Sequence, residues 1–433
     1  MLRKRLLLAT LLCIFVVIAG CSKTATDSGM KNDEVVSEGP VEITFFLNSM
    51  GQKEFDEIVV PIAQKKFPNY TLKGIVPGTG TGMRDLIAAN AVPDIVVGSK
   101  GAIPALTEFE TFGDIDDMIK KHNYDVSRLE PALVNIMKSN FQDKIIGLPI
   151  WSTVYALRYN KDLFDKFGVA YPKDGMTWDE LYELDKKLTR VEGGVQYRGF
   201  SERWQNVLLE NNQLSLPILD PKEEKSALLT EDFKKLAESI LRFYQLPGLT
   251  FDLKTSDPEE DKLLFEKGLS AMQINNNSDQ VNFNWDLVTV PTYKEKPGVN
   301  FQANATYLLL TKQSKHRNEA FQLIAYLTSD EVQKELSMKG KAPVVKEPSI
   351  QKLFMSNNPL YKGKRVEAYF MLKQYAPEPP ARSPELLQGY SNAASQIVKK
   401  EFQNVIIGAK DINTALRDAD EAIIKDINTR KVK

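Results

Sequence analysis

Hydrophobic and polar positions divide the chain into three stretches. Arg3, Lys4 and Arg5 precede an uncharged apolar run from Leu6 to Gly20. That run is too short for a comfortable membrane span and suits a secretory signal. Residues 22–40 are small, polar and charged, with almost nothing to bury, which predicts a flexible tether. From residue 41 onward the pattern becomes that of a folded body. Residues 41–49 carry β-branched and aromatic side chains and end in turn formers, so they predict a strand. Phe55, Ile58, Val59, Ile62 and Phe67 recur at helical spacing over 54–67. Residues 70–76 predict a second strand. Residues 93–99 predict a third, continuously apolar as in buried parallel sheets.

Strand and helix thus alternate with short connections, the signature of α/β architecture. In such folds ligands collect outside the carboxyl ends of the strands. The residues at those ends are Asn48 and Ser49 after the first strand, and Ser99 and Lys100 after the third. A glycine-rich stretch, 77–82, opens the helix between the second and third strands. It lacks the Lys-Ser/Thr ending of a phosphate loop and the G-x-G-x-x-G spacing, and reads as a turn.

Further along, an apolar strand reaches Pro149, a second extended run covers 154–160, and a short helix ends at Gly168. Thr177 and Glu180 form a capping-box pattern, which makes Trp178 a packing residue on the first turn. Residues 231–246 predict an amphipathic helix. Residues 267–277 predict a short strand that leaves Asn275, Asn276 and Asn277 in a loop. A strand from Trp285 ends in a proline and a polar turn. Residues 305–336 predict a strand, then a helix whose apolar face carries Ala320, Leu323, Ile324 and Leu327. Near the C-terminus, Ile412, Leu416, Ala419 and Ile423 form one helical stripe.

Composition narrows the chemistry. The 433 residues carry a formal charge of −1, and loss of Arg3, Lys4 and Arg5 with a signal would take it to −4. A mildly acidic, charge-mixed body argues against nucleic-acid binding. His122 and His316 sit in lysine-rich, polar surroundings and read as solvated surface residues. No His/Cys cluster has metal spacing, so no metal and no cofactor is expected. The two cysteines are Cys13, inside the apolar run, and Cys21, directly after it. Ile18-Ala19-Gly20-Cys21 resembles a bacterial lipobox. The resemblance implies a diacylated Cys21 at the mature N-terminus, a membrane anchor on the outer face of the cell, and no remaining thiol.

Five segments, in order, resemble a known family. They are "PDIVVGS", "GLPI…YALRYNKDLFDKFGV…TWDEL", "FEKGLSAMQINNN", "VPTYKEKPG" and "HRNEAFQLIAYLTSDEVQ". Together they are similar to the extracellular solute-binding proteins, family 1, of ATP-driven sugar importers, the group that includes maltose-binding protein. The resemblance implies a two-lobe, type II periplasmic-binding-protein-like α/β fold with the solute held between lobes joined by hinge strands. It implies a signal at 1–20, a tether at 21–40, an N-terminal lobe from 41–150 and 298–341, and a C-terminal lobe from 153–290 and 345–433. Crossings between lobes are expected near 151–154, 290–297 and 341–345.

The resemblance also implies partners and contacts. The solute would be a carbohydrate, the acceptor an ABC-transporter permease, and the protein a monomer with no catalytic role. Sugars need aromatic faces and paired polar groups. Trp151 and Tyr155 at the first crossing, and Trp204 with its neighbours Glu202 and Arg203, are expected at the cleft. Asn275 and Asn277 match a ligand-facing loop, and Arg382 lies in a segment matching a cleft-lining one. Trp285 is expected to pack. Three other readings stay open at this point: a lipid-anchored glycoside hydrolase, an adhesive lipoprotein without a small ligand, and a binder of a non-sugar solute.

Overall fold

The structure is a computed structural model that describes residues 39–141, 143–275 and 281–431. The signal run, Cys21, the tether up to residue 38 and Asn277 lie outside the described residues.

The first sheet has the order β2-β1-β3-β11-β4. Its strands are β1 (Val41–Leu47), β2 (Tyr70–Ile75), β3 (Ile95–Ser99), β4 (Gly147–Thr153) and β11 (Asn304–Leu310). β1 pairs in parallel with β2 and β3, while β11 runs antiparallel to β3 and β4. Ile95, Val96 and Val97 are all buried, as a strand covered on both faces requires. Gly147 is needed where β4 meets β11, because a Cβ there would fall 2.3 Å from the Leu308 carbonyl oxygen. Helical residues 52–66 and 317–327 cover this sheet, and Phe67 meets Tyr326 edge-on.

The second sheet has the order β6-β7-β8-β5-β9. It comprises β5 (Ala156–Asn160), β6 (Arg190–Glu192), β7 (Val195–Phe200), β8 (Ser270–Asn275) and β9 (Trp285–Val288). The period of two splits its apolar residues between two layers. Leu157, Tyr159 and Val288 face a core built with the helices Glu231–Leu241, Ser391–Ile406 and Ile412–Lys431. Ala156, Trp285 and Leu287 face a smaller core with Phe354, Tyr361 and Tyr369. Trp285 therefore packs, edge-on to Tyr361.

The chain passes between the sheets along short connections. β4 ends at Thr153 and β5 begins at Ala156. β10 (Val299–Gln302) pairs with β12 (Gln374–Ala376) and runs almost directly into β11. Phe301 belongs to the second core and Ala303 to the first, so this passage falls later than the expected 290–297. A strand arriving there must run away from the junction, which is why β11 is antiparallel to β3. Near 342 the chain bonds back to the first passage, with Ser152 N donating to Ala342 O at 2.8 Å.

Two expectations about individual residues resolve differently. Trp178 packs as expected: it is buried behind the Thr177–Glu180 capping box and donates its Nε1–H to Gln213 at 2.8 Å. His122, expected at the surface, is instead 4% exposed. Its ring stacks on Phe321 and its Nε2 lies 3.0 Å from Asn318 Oδ1. Lys121 beside it converges on the same group, its Nζ also donating to Asn318 Oδ1.

Candidate solute cleft

The register of the strands places the site. In the first sheet, Ser99 at the end of β3 pairs with Thr306, and Asn304 at the start of β11 pairs with Thr153 at the end of β4. In the second sheet, Asn275 at the end of β8 pairs with Ala156 at the start of β5, and Leu157 pairs with Val288 at the end of β9. The two edges joined by the crossings are thus the carboxyl ends of β3, β4, β8 and β9. This is where α/β folds collect ligands.

On the first edge, Ser49 Oγ accepts from the Ser99 backbone N at 2.9 Å, and Ser49 N donates to Val97 O at 3.1 Å. The two serines fix the ends of β1 and β3 relative to each other. Asn48 is exposed beside them. Lys100 donates to Glu378 Oε1 at 2.7 Å and to Gln302 Oε1 at 3.0 Å. Burial pushes the Lys100 ammonium below its ordinary pKa, opposed by the Glu378 charge. The Asn304 side-chain carbonyl is buried and accepts no hydrogen bond.

On the second edge, the Tyr155 ring meets Phe301 edge-on at 5.4 Å. Its hydroxyl hydrogen-bonds Asn206, and burial with nearby Glu210 and Glu202 pushes its pKa up to about 12. Asn206 begins a π-helical turn, Asn206–Glu210. A second π turn, Phe55–Val59, follows β1 in the other lobe. Such turns are rare and concentrate at functional sites. Arg203 is partly exposed and pairs with Glu259 and Glu210. Asn275 closes β8 with its side chain partly exposed.

Several expected contacts sit elsewhere. Trp204 is fully buried inside the second lobe, against Phe402, with Nε1 donating to Ser256 O at 3.3 Å. It offers no free face to a solute, because the turn after β7 directs it inward. Glu202 is also buried. Its Oε2 accepts from Ile274 N at 3.0 Å, and its own N donates to Asp261 Oδ2 at 2.9 Å. Desolvation, then the Asp261 charge, raises its pKa well above the carboxylate range. Glu202 joins Arg198, Asp261 and Tyr244 in a buried network that clamps the β7 turn to the helix Pro258–Glu266. Arg382 donates to Asp220 O and to Glu224 Oε2, both at 2.7 Å, and anchors its loop to the lobe. Trp151 is 7% exposed and packs in the first core, with Lys341 Nζ 4.7 Å above its ring. A cavity of about 130 Å³ lies here, bounded by Trp151, Thr153, Lys341 and Phe354.

The structure adds residues that sequence reasoning missed: Gln302, Glu378, Asn206, Phe301 and Asn304. Glu378 stands in the same proline-rich segment as Arg382, so the segment was legible and the reaching residue was not. Asn206 lies two residues beyond Trp204, at the position the π turn brings outward. Among the described residues no group of His, Cys, Asp and Glu could hold a metal ion, and no helix is long and apolar enough to cross a membrane.

Comparison with known proteins agrees with this geometry. A multiple sugar-binding protein of Streptococcus mutans is 23% identical over 363 residues, covering 76% of this chain and 80% of the relative. An sn-glycerol-3-phosphate-binding periplasmic protein of Brucella melitensis is 24% identical over 399 residues, covering 85% and 86%. The structure of an ABC substrate-binding protein from Listeria monocytogenes in complex with cycloalternan superposes with a TM-score of 0.71. It is 20% identical and covers 90% of this chain and 99% of its own, so the two-lobe fold is shared. The family model described as bacterial extracellular solute-binding protein matches residues 48–334, and the chain belongs to that family.

Proposed function

We propose that this protein captures a carbohydrate between its lobes and delivers it to the permease of an ABC importer. The observation that carries the reading is the facing of two strand-end edges rich in hydroxyls, amides and one ring. Ser49, Ser99, Gln302 and Asn304 stand on one side, and Tyr155, Asn206 and Asn275 on the other. Such a lining suits a solute that presents hydroxyl edges and apolar C–H faces. The sugar-binding relative and the cycloalternan complex support it. The lobes follow the two main cores, and closure is favoured because a solute touches both edges only when they approach. The protein acts as a monomer, performs no catalysis, and is held to the outer face of the membrane by lipid on Cys21.

A thermal-shift screen against mono- and oligosaccharides tests the reading, since a ligand of the folded state raises stability by RT ln(1 + [L]/Kd). At least one neutral sugar should raise the melting temperature in a saturable way. No shift across the panel, alongside a shift with a peptide or polyamine, would assign a different solute.

A further inference from the structure

We infer that Glu378 sets the charge specificity of the cleft, neutralising Lys100 so that the site accepts uncharged polyhydroxy solutes and rejects phosphate esters. The inference rests on the carbohydrate reading for the identity of the site and goes beyond it in naming a selectivity residue.

Lys100 follows β3, in the first lobe. Glu378 follows β12, on a loop held to the second lobe. Ser215 Oγ donates to Pro377 O at 2.8 Å, Ser383 N to Pro221 O at 2.8 Å, and Arg382 to Glu224 at 2.7 Å. The Lys100–Glu378 pair therefore spans the two lobes. Its side chains are only 15% and 16% exposed, so solvent screens it little. Gln302 Oε1 accepts a further proton of the ammonium at 3.0 Å. With one carboxylate and one amide oxygen on it, this cation is matched.

The second cation at the facing edges, Arg203, is likewise matched by Glu259 and Glu210. A phosphate monoester brings up to two negative charges and, on the phosphoryl group, only acceptors at neutral pH. Placed here it would meet the Glu378 carboxylate in a poorly screened site, a repulsion that works as discrimination against that ligand. Neutral hydroxyls face no such cost. They can donate to Glu378 and to the buried Asn304 carbonyl that now lacks a donor. The distinction matters because relatives of similar identity include both a sugar-binding and a glycerol-phosphate-binding protein.

The test is calorimetric titration of the full mature chain with two probes, a neutral oligosaccharide panel containing maltotriose and cycloalternan, and sn-glycerol 3-phosphate. Wild type should bind a neutral sugar at least 100-fold more tightly than the phosphate. Glu378→Gln, which keeps the shape and removes the charge, should narrow that gap tenfold or more. Adding Lys100→Met to it should abolish the gain. Wild type binding the phosphate as tightly as its best sugar overturns the inference, and this arm needs no variant to fold. A folded Glu378→Gln protein with an unchanged gap also overturns it. If wild type binds neither probe, the carbohydrate reading fails separately. The charge inference then stands if Glu378→Gln gains phosphate binding that depends on Lys100, and falls if it does not.

Discussion

The Lys341 ammonium lies 4.7 Å from the centre of the Trp151 ring, joining two passages of the chain between the lobes. Trp151, near the end of β4, leads into the first passage and Lys341 opens the last. Lys341 also pairs with Glu54, on the first helix of the N-terminal lobe. One face of the ring is therefore covered by protein.

Lys341→Met should lower stability by about 1 kcal/mol, the usual scale of a partly exposed cation–π contact with a modest ion pair. Urea denaturation checks it. A variant as stable as wild type would mean that the contact holds nothing in solution.

Trp204 should behave as a core residue. Trp204→Ala should cost roughly 3–5 kcal/mol of stability, as large-to-small core changes do. Trp204→Phe should fold and keep its affinity within about twofold, since the ring touches protein on all sides. A folded Trp204→Phe protein with a tenfold weaker Kd would return this tryptophan to the cleft.

Asp185 should make stability fall as pH rises. It is buried beneath the end of β7, where Phe200 N and Thr189 Oγ1 both donate to its Oδ1 while its Oδ2 has no partner. Desolvation raises its pKa to about 7, against an ordinary 3.8. The folded state thus holds a proton that the unfolded chain has released. Its stabilising contribution is full below about pH 4 and is lost as pH climbs to about 7. Asp185→Asn keeps the Oδ1 acceptor and removes the charge. The variant should gain on wild type across that window, by at most about 4 kcal/mol. Denaturant melts at pH 4.5 and pH 7.5 measure the difference. A constant difference between the two proteins would show that Asp185 stays ionised.

The alternation of strands and helices was readable because its signals are local. Apolar run length marked β3, the Thr177–Glu180 box marked a helix start, and an extended run marked β5. The carboxyl-end rule also named Ser49, Ser99 and Lys100, and the structure sets them just past β1 and at the end of β3. Trp204 and Glu202 misled because side-chain type was read without direction. A tryptophan beside a charged pair suits a sugar site and a buried network equally, and only the turn after β7 decides between them. Glu378 was invisible for another reason. Its partner Lys100 lies 278 residues away, and nothing in the proline-rich segment says which residue reaches the other lobe. His122 shows the same limit, since its partners Asn318 and Phe321 come from a distant helix.

The central claim is that the facing strand ends of the two lobes hold a carbohydrate. Calorimetric titration of the mature protein with mono- and oligosaccharides, each sugar recovered and analysed afterwards, tests it most directly. The account predicts saturable binding of one neutral sugar per chain, with the sugar returned unchanged. Absence of binding across the panel, or steady release of cleaved sugar by the purified protein, would contradict it.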